Sequence, residues 1–501
     1  TYGADTLVNI GRDRIGNTST NVLAGIYAAG KNIDINAAGH KLTLQTENTI
    51  GNPTGIYAGN GKKLAIDAAE VNIITRGWQN GNTLTNAIQL DAAKNKAGQI
   101  TINAPVNISM SGGYGGNGVA VQKSDRLGEK SYEAKEGSQI LINGDLKIAG
   151  ASTDEWGIPI NRENVFSRFN NAGILTQVEK SDVTVNGNVD MTVYGNGVTT
   201  NAKDSTVHIG GGSIQVPAGT AYSYYALAAY RGTINMNTGT DGETPGTRDV
   251  RLDGDLFALP TGQLNVALTT NNSWLHGLVD SGGTSNLYLQ NGAAWINEGR
   301  NARYYQDNED MGAGEKTGAK NLYVGRSRVT NFFGGESEAK RGVIYQKDTD
   351  TLTIDNYRGH TAAVYRHDAG TPATIKGGDI VVDKALGTNN VFTLFTDSNG
   401  VNTTNQNAVL DALANKLVYK SHAEDKLEGK LSIGEGLTSS SIHRNMLFDS
   451  DGRGRADSFV PPPVIQRPLT AADATAGVYT LSNDEERTLT QADVTYGFNA
   501  K

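Results

Sequence analysis

Apolar and polar residues alternate along this chain in short runs, and near the start the runs come in matched sets. Gly25-Ile26-Tyr27-Ala28 returns as Gly55-Ile56-Tyr57-Ala58. Each copy is followed by two further alternating runs, Ile33/Ile35 and Leu42/Leu44 in the first, Leu64/Ile66 and Val71/Ile73 in the second. Period two marks a strand with one buried face. Three short strands per repeat, divided by Gly, Asn and Ala-Ala corners, describe one coil of a right-handed parallel β-helix. A single coil cannot bury its own inward face. Stacking coils about 4.8 Å apart turns the inward Ile, Val and Leu side chains into ladders.

A third repeat opens at Ala87-Ile88-Gln89-Leu90 and a fourth at Gly118-Val119-Ala120-Val121, so the step from copy to copy stays nearly constant. The rhythm then breaks over 150–171, where Trp156, Phe166 and Phe169 stand among charged residues without alternation. It resumes at Gly173-Ile174-Leu175 and runs on through Leu287/Leu289. A second interruption spans 297–342, a polar stretch framed towards its end by Leu322/Val324 and Val343/Tyr345. Val409, Leu410, Leu413 and Leu417 fall at helical spacing with Asn residues upstream as N-caps, which predicts one helix over 403–416. The expected fold is all-β: an N-terminal cap over 1–22, a β-helix over 23–400 with two insertions, and C-terminal coils with the helix over 401–459. Pro461-Pro462-Pro463 opens a Pro-rich linker and an incomplete last segment over 460–501.

Composition narrows the class. Gly 62 against Pro 11, with aromatics at only 7%, suits many tight corners around small inward side chains. The absence of Cys fits a bacterial exported chain better than a disulfide-stapled eukaryotic one. A net charge of −8 argues against nucleic acid or an anionic membrane as a partner, since both need clustered Lys and Arg. No apolar run approaches the length of a membrane-spanning helix. The chain opens at Thr1 without an apolar leader, which leads us to expect a processed or excised part of a longer protein.

Candidate chemistry is sparse. Binding candidates are the aromatic and basic residues that break the rhythm: Trp156, Phe166 and Phe169, then Tyr222 and Tyr224, then Arg303, Tyr304 and Tyr305. Tyr225 and Tyr230 lie close by, and alternation would send some of these tyrosines inward. Asp280-Ser281-Gly282-Gly283 resembles the nucleophile loop of trypsin-like enzymes, but Val279 precedes it, rod strands flank it and His276 is too close in sequence, so a tight turn is expected. Asp253 and Asp255 could share a strand face as a glycan-cleaving pair, although Gly254 between them also suits a corner. Asp449, Asp451 and Asp457 stand at alternate positions with Gly452, as in calcium loops, yet Arg453 occupies a place where such loops prefer an oxygen donor. Ca²⁺ is thus the one candidate ion, and no other cofactor is expected.

Several motifs carry a family resemblance. Ser273-Trp274, then Asn286-Leu287-Tyr288-Leu289-Gln290-Asn291-Gly292-Ala293-Ala294-Trp295, then Thr351 to Tyr357, Ile375 to Asp379 and Phe392-Thr393-Leu394 resemble the passenger of classical monomeric autotransporters of Gram-negative bacteria. The stretch Ala408 to Thr438 is similar to large surface adhesins of this type from diderm Firmicutes. The resemblance implies a β-helical passenger on the cell surface or released from it. The implied partners are host-cell or matrix proteins and glycans, or other bacteria, with self-association in biofilm. Membrane attachment would come only through a translocator barrel that this chain lacks. The resemblance implies no enzymatic activity. A self-associating structural protein and a β-helix glycan-cleaving enzyme are the rival readings.

Overall fold

A computed structural model describes residues 1–10, 22–48, 52–77, 86–93, 95–111, 116–123, 137–150, 172–216, 225–300, 325–368, 370, 372–424, 426–434, 440–457 and 464–466. The fold is all-β, with a single α-helix among the described residues. The chain clusters into two compact units. The first holds Thr1–Thr244 and Leu252–Asn265; the second holds Pro245–Arg251, Val266–Arg300 and the described residues from 325 onward.

In the first unit the alternating runs become strands that pair in parallel with their counterparts one repeat away. Val22–Ala28 pairs with Asn52–Ala58, placing Ile26 beside Ile56 and Tyr27 beside Tyr57. The same position then passes to Ile88, Val119, Ile174, Val198 and Leu227 through five more parallel pairs. A second column carries Leu64/Ile66, Ile100/Ile102, Ile140/Ile142, Val183/Val185, Val207/Ile209 and Ile234/Met236. A third carries Leu42/Leu44, Val71/Ile73, Val106/Ile108, Leu146/Ile148 and Val189/Met191. Apart from Ile26, which is half-buried, and Tyr27, which is exposed, these side chains are buried. Like stacks on like because each strand repeats the pattern of the one beneath, and a one-residue slip would turn every inward side chain outward.

Where glycine precedes this first column, as at Gly118 and Gly173, it has a steric cause. A Cβ on Gly118 would sit 2.6 Å from the carbonyl oxygen of Gly173, and one on Gly173 would sit 2.7 Å from that of Gly197. Adjacent backbones approach too closely there for any side chain. Outward corners are tied by amides. Asn103 donates to Asp67 (2.6 Å), Asn143 to Asn103 (2.7 Å) and Asn186 to Asn143 (2.6 Å), a ladder of exposed side chains.

The second unit is also built of parallel pairs, with a different interior. Trp295, Phe332, Tyr357 and Phe392 are fully buried and lie ring to ring at centroid distances of 6.5, 5.7 and 5.0 Å. Their polar atoms are satisfied: Trp295 Nε1 donates to the Gly277 carbonyl (2.9 Å) and the Tyr357 hydroxyl to that of Val391 (2.8 Å). Burial pushes the Tyr357 hydroxyl's pKa well up, so it stays protonated and able to donate.

Parallel pairing gives way near the C-terminus. Glu428–Gly434 pairs antiparallel with Ser440–Phe448, which in turn pairs antiparallel with Gly454–Ala456 and Val464–Gln466. The helix is Gln406–Ala414, and it buries Val409, Leu410, Leu413 and Ala414. Leu417, expected to continue the helical stripe, instead begins the strand Leu417–Tyr419. The N-cap position is Asn405, but its side chain makes no cap bond; its Oδ1 accepts the N–H of Asn402 and its Nδ2 donates to the Gly400 carbonyl. Arg453 supplies the other end. Its Nη1 donates to the carbonyl of the C-cap residue Asn415 at 2.7 Å, a cation set against the negative end of the helix. No described helix is long and apolar enough to cross a membrane.

The stretch 297–342 is not a continuous interruption. Within it lies the strand Arg328–Phe333, paired in register with Thr284–Leu289 and Leu352–Arg358. Leu322 and Val324 lie outside the described residues.

Candidate functional site

Trp156, Phe166, Phe169, Tyr222, Tyr224, Arg303, Tyr304 and Tyr305 all lie outside the described residues. The strands that flank their segments are described, and register relates them. Residues 151–171 run between Leu146–Gly150 and Ala172–Thr176, and 217–224 between Asn196–Gln215 and Tyr225–Met236. Met191 pairs with Ile214 in the column that contains Ile148, and Val198 joins Ile174 to Leu227. The described residues that flank the two segments therefore lie at the same corner of the first unit, two rungs and roughly 10 Å apart. The neighbouring Tyr225 and Tyr230 are buried, and both pack on Phe257 at 4.5 and 5.6 Å.

The acidic loop near the C-terminus is built as a turn. Asp449 Oδ1 accepts the backbone N–H groups of Asp451 (3.0 Å) and Arg453 (2.9 Å), while Oδ2 takes Arg455 Nε at 3.2 Å. Partial desolvation raises the Asp449 carboxyl, but these donors together hold it below the usual carboxylate range. Asp457 engages through its backbone, with N–H to Asn445 and carbonyl from Arg444 Nη1. A carboxylate already facing two N–H groups and a guanidinium does not fit a divalent cation. Among the described residues, no group of three or more His, Asp or Glu is placed to hold a metal.

The protease-like tetrapeptide forms no catalytic arrangement. Ser281 Oγ donates to the Gly283 carbonyl at 3.1 Å, and His276 Nε2 meets Glu298 Oε2 at 3.0 Å. That contact with His276, opposed by burial and aided by Lys347 and Arg300, holds the Glu298 carboxyl below its ordinary range. Asp253 and Asp255 end one strand and begin the next, with Gly254 between them at φ 154°, so this stretch is a corner. Both carboxylates are buried in the first unit and carry their own partners.

Register builds one arrangement, from buried Tyr288 through half-buried Phe333 to exposed Arg358, that the pattern of breaks does not announce. On the outward face of the second unit, Tyr288 pairs with Phe333 and Phe333 with Arg358. The two rings stack at 4.5 Å, and the Arg358 guanidinium lies 5.6 Å from the Phe333 centroid. Beside this column run Asn286, Asn331 and Asn356, with Asn331 Nδ2 donating to Asn286 Oδ1 (2.8 Å) and Asn356 Nδ2 to Asn331 Oδ1 (3.1 Å). The sequence signal was present as an outward position one residue past each inward ring, Phe332 and Tyr357. It could be read only with the pairing known.

Comparison with protein-family models, curated proteins and solved structures returns no match.

Proposed function

We propose that this chain is a right-handed parallel β-helix that acts as the adhesive passenger of a bacterial surface protein. One observation carries the reading: in each unit the strands pair in parallel and in register, so chemically similar side chains stack rung upon rung. Right-handedness follows from the general preference of parallel crossovers. A stack of rungs grows by repetition without altering its core, and its corners tolerate added sequence between strands, as between Gly150 and Ala172 and between Val216 and Tyr225. Those features suit a protein that presents binding surface along its length, where many weak contacts on many copies give avidity. The His276–Glu298 and Asp253/Asp255 geometries lend no support to an enzymatic reading.

The test is binding of the labelled protein to one array of glycans, matrix proteins and fixed bacterial cells. Discrete hits that weaken on deletion of 151–171 or 301–324 support adhesion. A blank array overturns it. The second deletion must stop short of Arg328, because removing all of 297–342 would take out a rung strand.

A further inference from the structure

We propose that the outward face formed by Thr284–Leu289, Arg328–Phe333 and Leu352–Arg358 is a binding site for an anionic polysaccharide; this rests on the adhesive reading and names its ligand class. Three observations converge. The first is the Tyr288–Phe333–Arg358 column, in which the Phe333 ring, backed by Tyr288, holds the guanidinium against the sheet at 5.6 Å. A cation laid over an aromatic face is positioned in advance and keeps its N–H edges for planar acceptors such as carboxylate or sulfate.

The second is charge. Arg328 on the same face is matched by Asp355 at 2.7 Å, and Arg453 and Arg455 elsewhere in the unit by Asp379 and Asp449. Arg358 is exposed and forms no ion pair with a carboxylate among the described residues. The third is the amide column. Asn286, Asn331 and Asn356 are fixed by their mutual bonds, one per rung, at the spacing of the strands. Asn331 Nδ2, which gives one hydrogen to Asn286, keeps a second, and the Asn356 oxygen accepts no hydrogen bond among the described residues, so these two amides suit the hydroxyl groups of a sugar chain. The net charge of −8 gives no diffuse attraction for a polyanion, so rigid amides with one unmatched, pre-positioned cation describe a local contact that takes sugar hydroxyls and a single carboxylate or sulfate of the polymer.

The experiment measures binding of the full chain to immobilised polygalacturonate, chondroitin sulfate and neutral dextran, in low and high salt. Binding to either charged polymer and not to dextran is expected, weakening with salt, and the two charged probes separate carboxylate from sulfate recognition. Arg358→Gln should reduce that binding about tenfold, the scale of one charge-assisted contact, with an unchanged melting temperature. Asn331→Ala should weaken it less. Equal binding to dextran, no binding to any of the three, or an Arg358→Gln protein that binds the charged polymers as well as the parent would overturn the proposal. The adhesive reading would still stand if the same variant kept its array hits on proteins or cells.

Discussion

In the first unit the interior position shared by Ile56, Ile88, Val119, Ile174, Val198 and Leu227 is filled by aliphatic side chains of similar size, rung after rung. In the second unit the interior adds four large rings, Trp295, Phe332, Tyr357 and Phe392, to its aliphatic residues, and the polar atoms of Trp295 and Tyr357 reach specific carbonyls. Aliphatic ladders spread stability over many equivalent contacts, so any one rung contributes modestly. Stacked rings concentrate it, because each displaces a large volume and touches the rung above and below. The second unit also carries the helix and the antiparallel strands that end the parallel pairing. An open sheet edge is thereby converted into paired strands.

That contrast can be broken by mutation. Phe332→Ala should cost about 3–5 kcal/mol, by the usual cost of removing a buried ring, measured by chemical denaturation. If it costs no more than an aliphatic trimming in the first unit, the concentration of stability in the rings is wrong. Gly173→Ala should cost about 1–3 kcal/mol, because its Cβ would meet the Gly197 carbonyl and force the rungs apart. Ile140→Val, which removes one methylene from one rung, should cost about 0.5–1.5 kcal/mol. Asn103→Ala, at the exposed amide ladder, should cost about 1 kcal/mol or less.

Asp449 sharpens the comparison through pH. Its folded carboxyl lies below the ordinary range, so the stability it contributes is present above about pH 4 and is lost as pH falls towards the lower folded value. Asp449→Ala should therefore lower the melting temperature at pH 7, and the difference from the parent should shrink in acid. Added Ca²⁺ or chelator should leave the melting temperature unchanged, because Arg455 and two backbone N–H groups already occupy the Asp449 carboxylate. A calcium-dependent shift would reopen the metal reading of that loop.

Strand identity was legible where buried and outward residues alternate strictly, since that alternation is the whole signal of a half-buried strand. Ile100/Ile102 and Ile140/Ile142 fall where the pattern put them. Arg328–Phe333 was not legible, because Val329 and Phe332 are its only buried residues, and outward Thr330 and Asn331 between them hide the period. Alternation would send some of the tyrosines near 225 inward without saying which, and contact with Phe257 places Tyr225 and Tyr230 in the core. The acidic loop looked like a cation site because spacing shows carboxylates but not what faces them. Arg455, further along the same loop, reaches back across the turn to Asp449.

The sequence by itself determined the all-β class, the repeat and the location of the helix, because strand alternation, helical spacing and a recurring tetrapeptide are local properties of the chain. Only the tertiary structure decided which outward residues share a column, which aspartates are committed to arginines, and that Tyr288, Phe333 and Arg358 meet. These are facts of register between strands far apart in the sequence. Alternation fixes which face a side chain takes but not which neighbour it meets there.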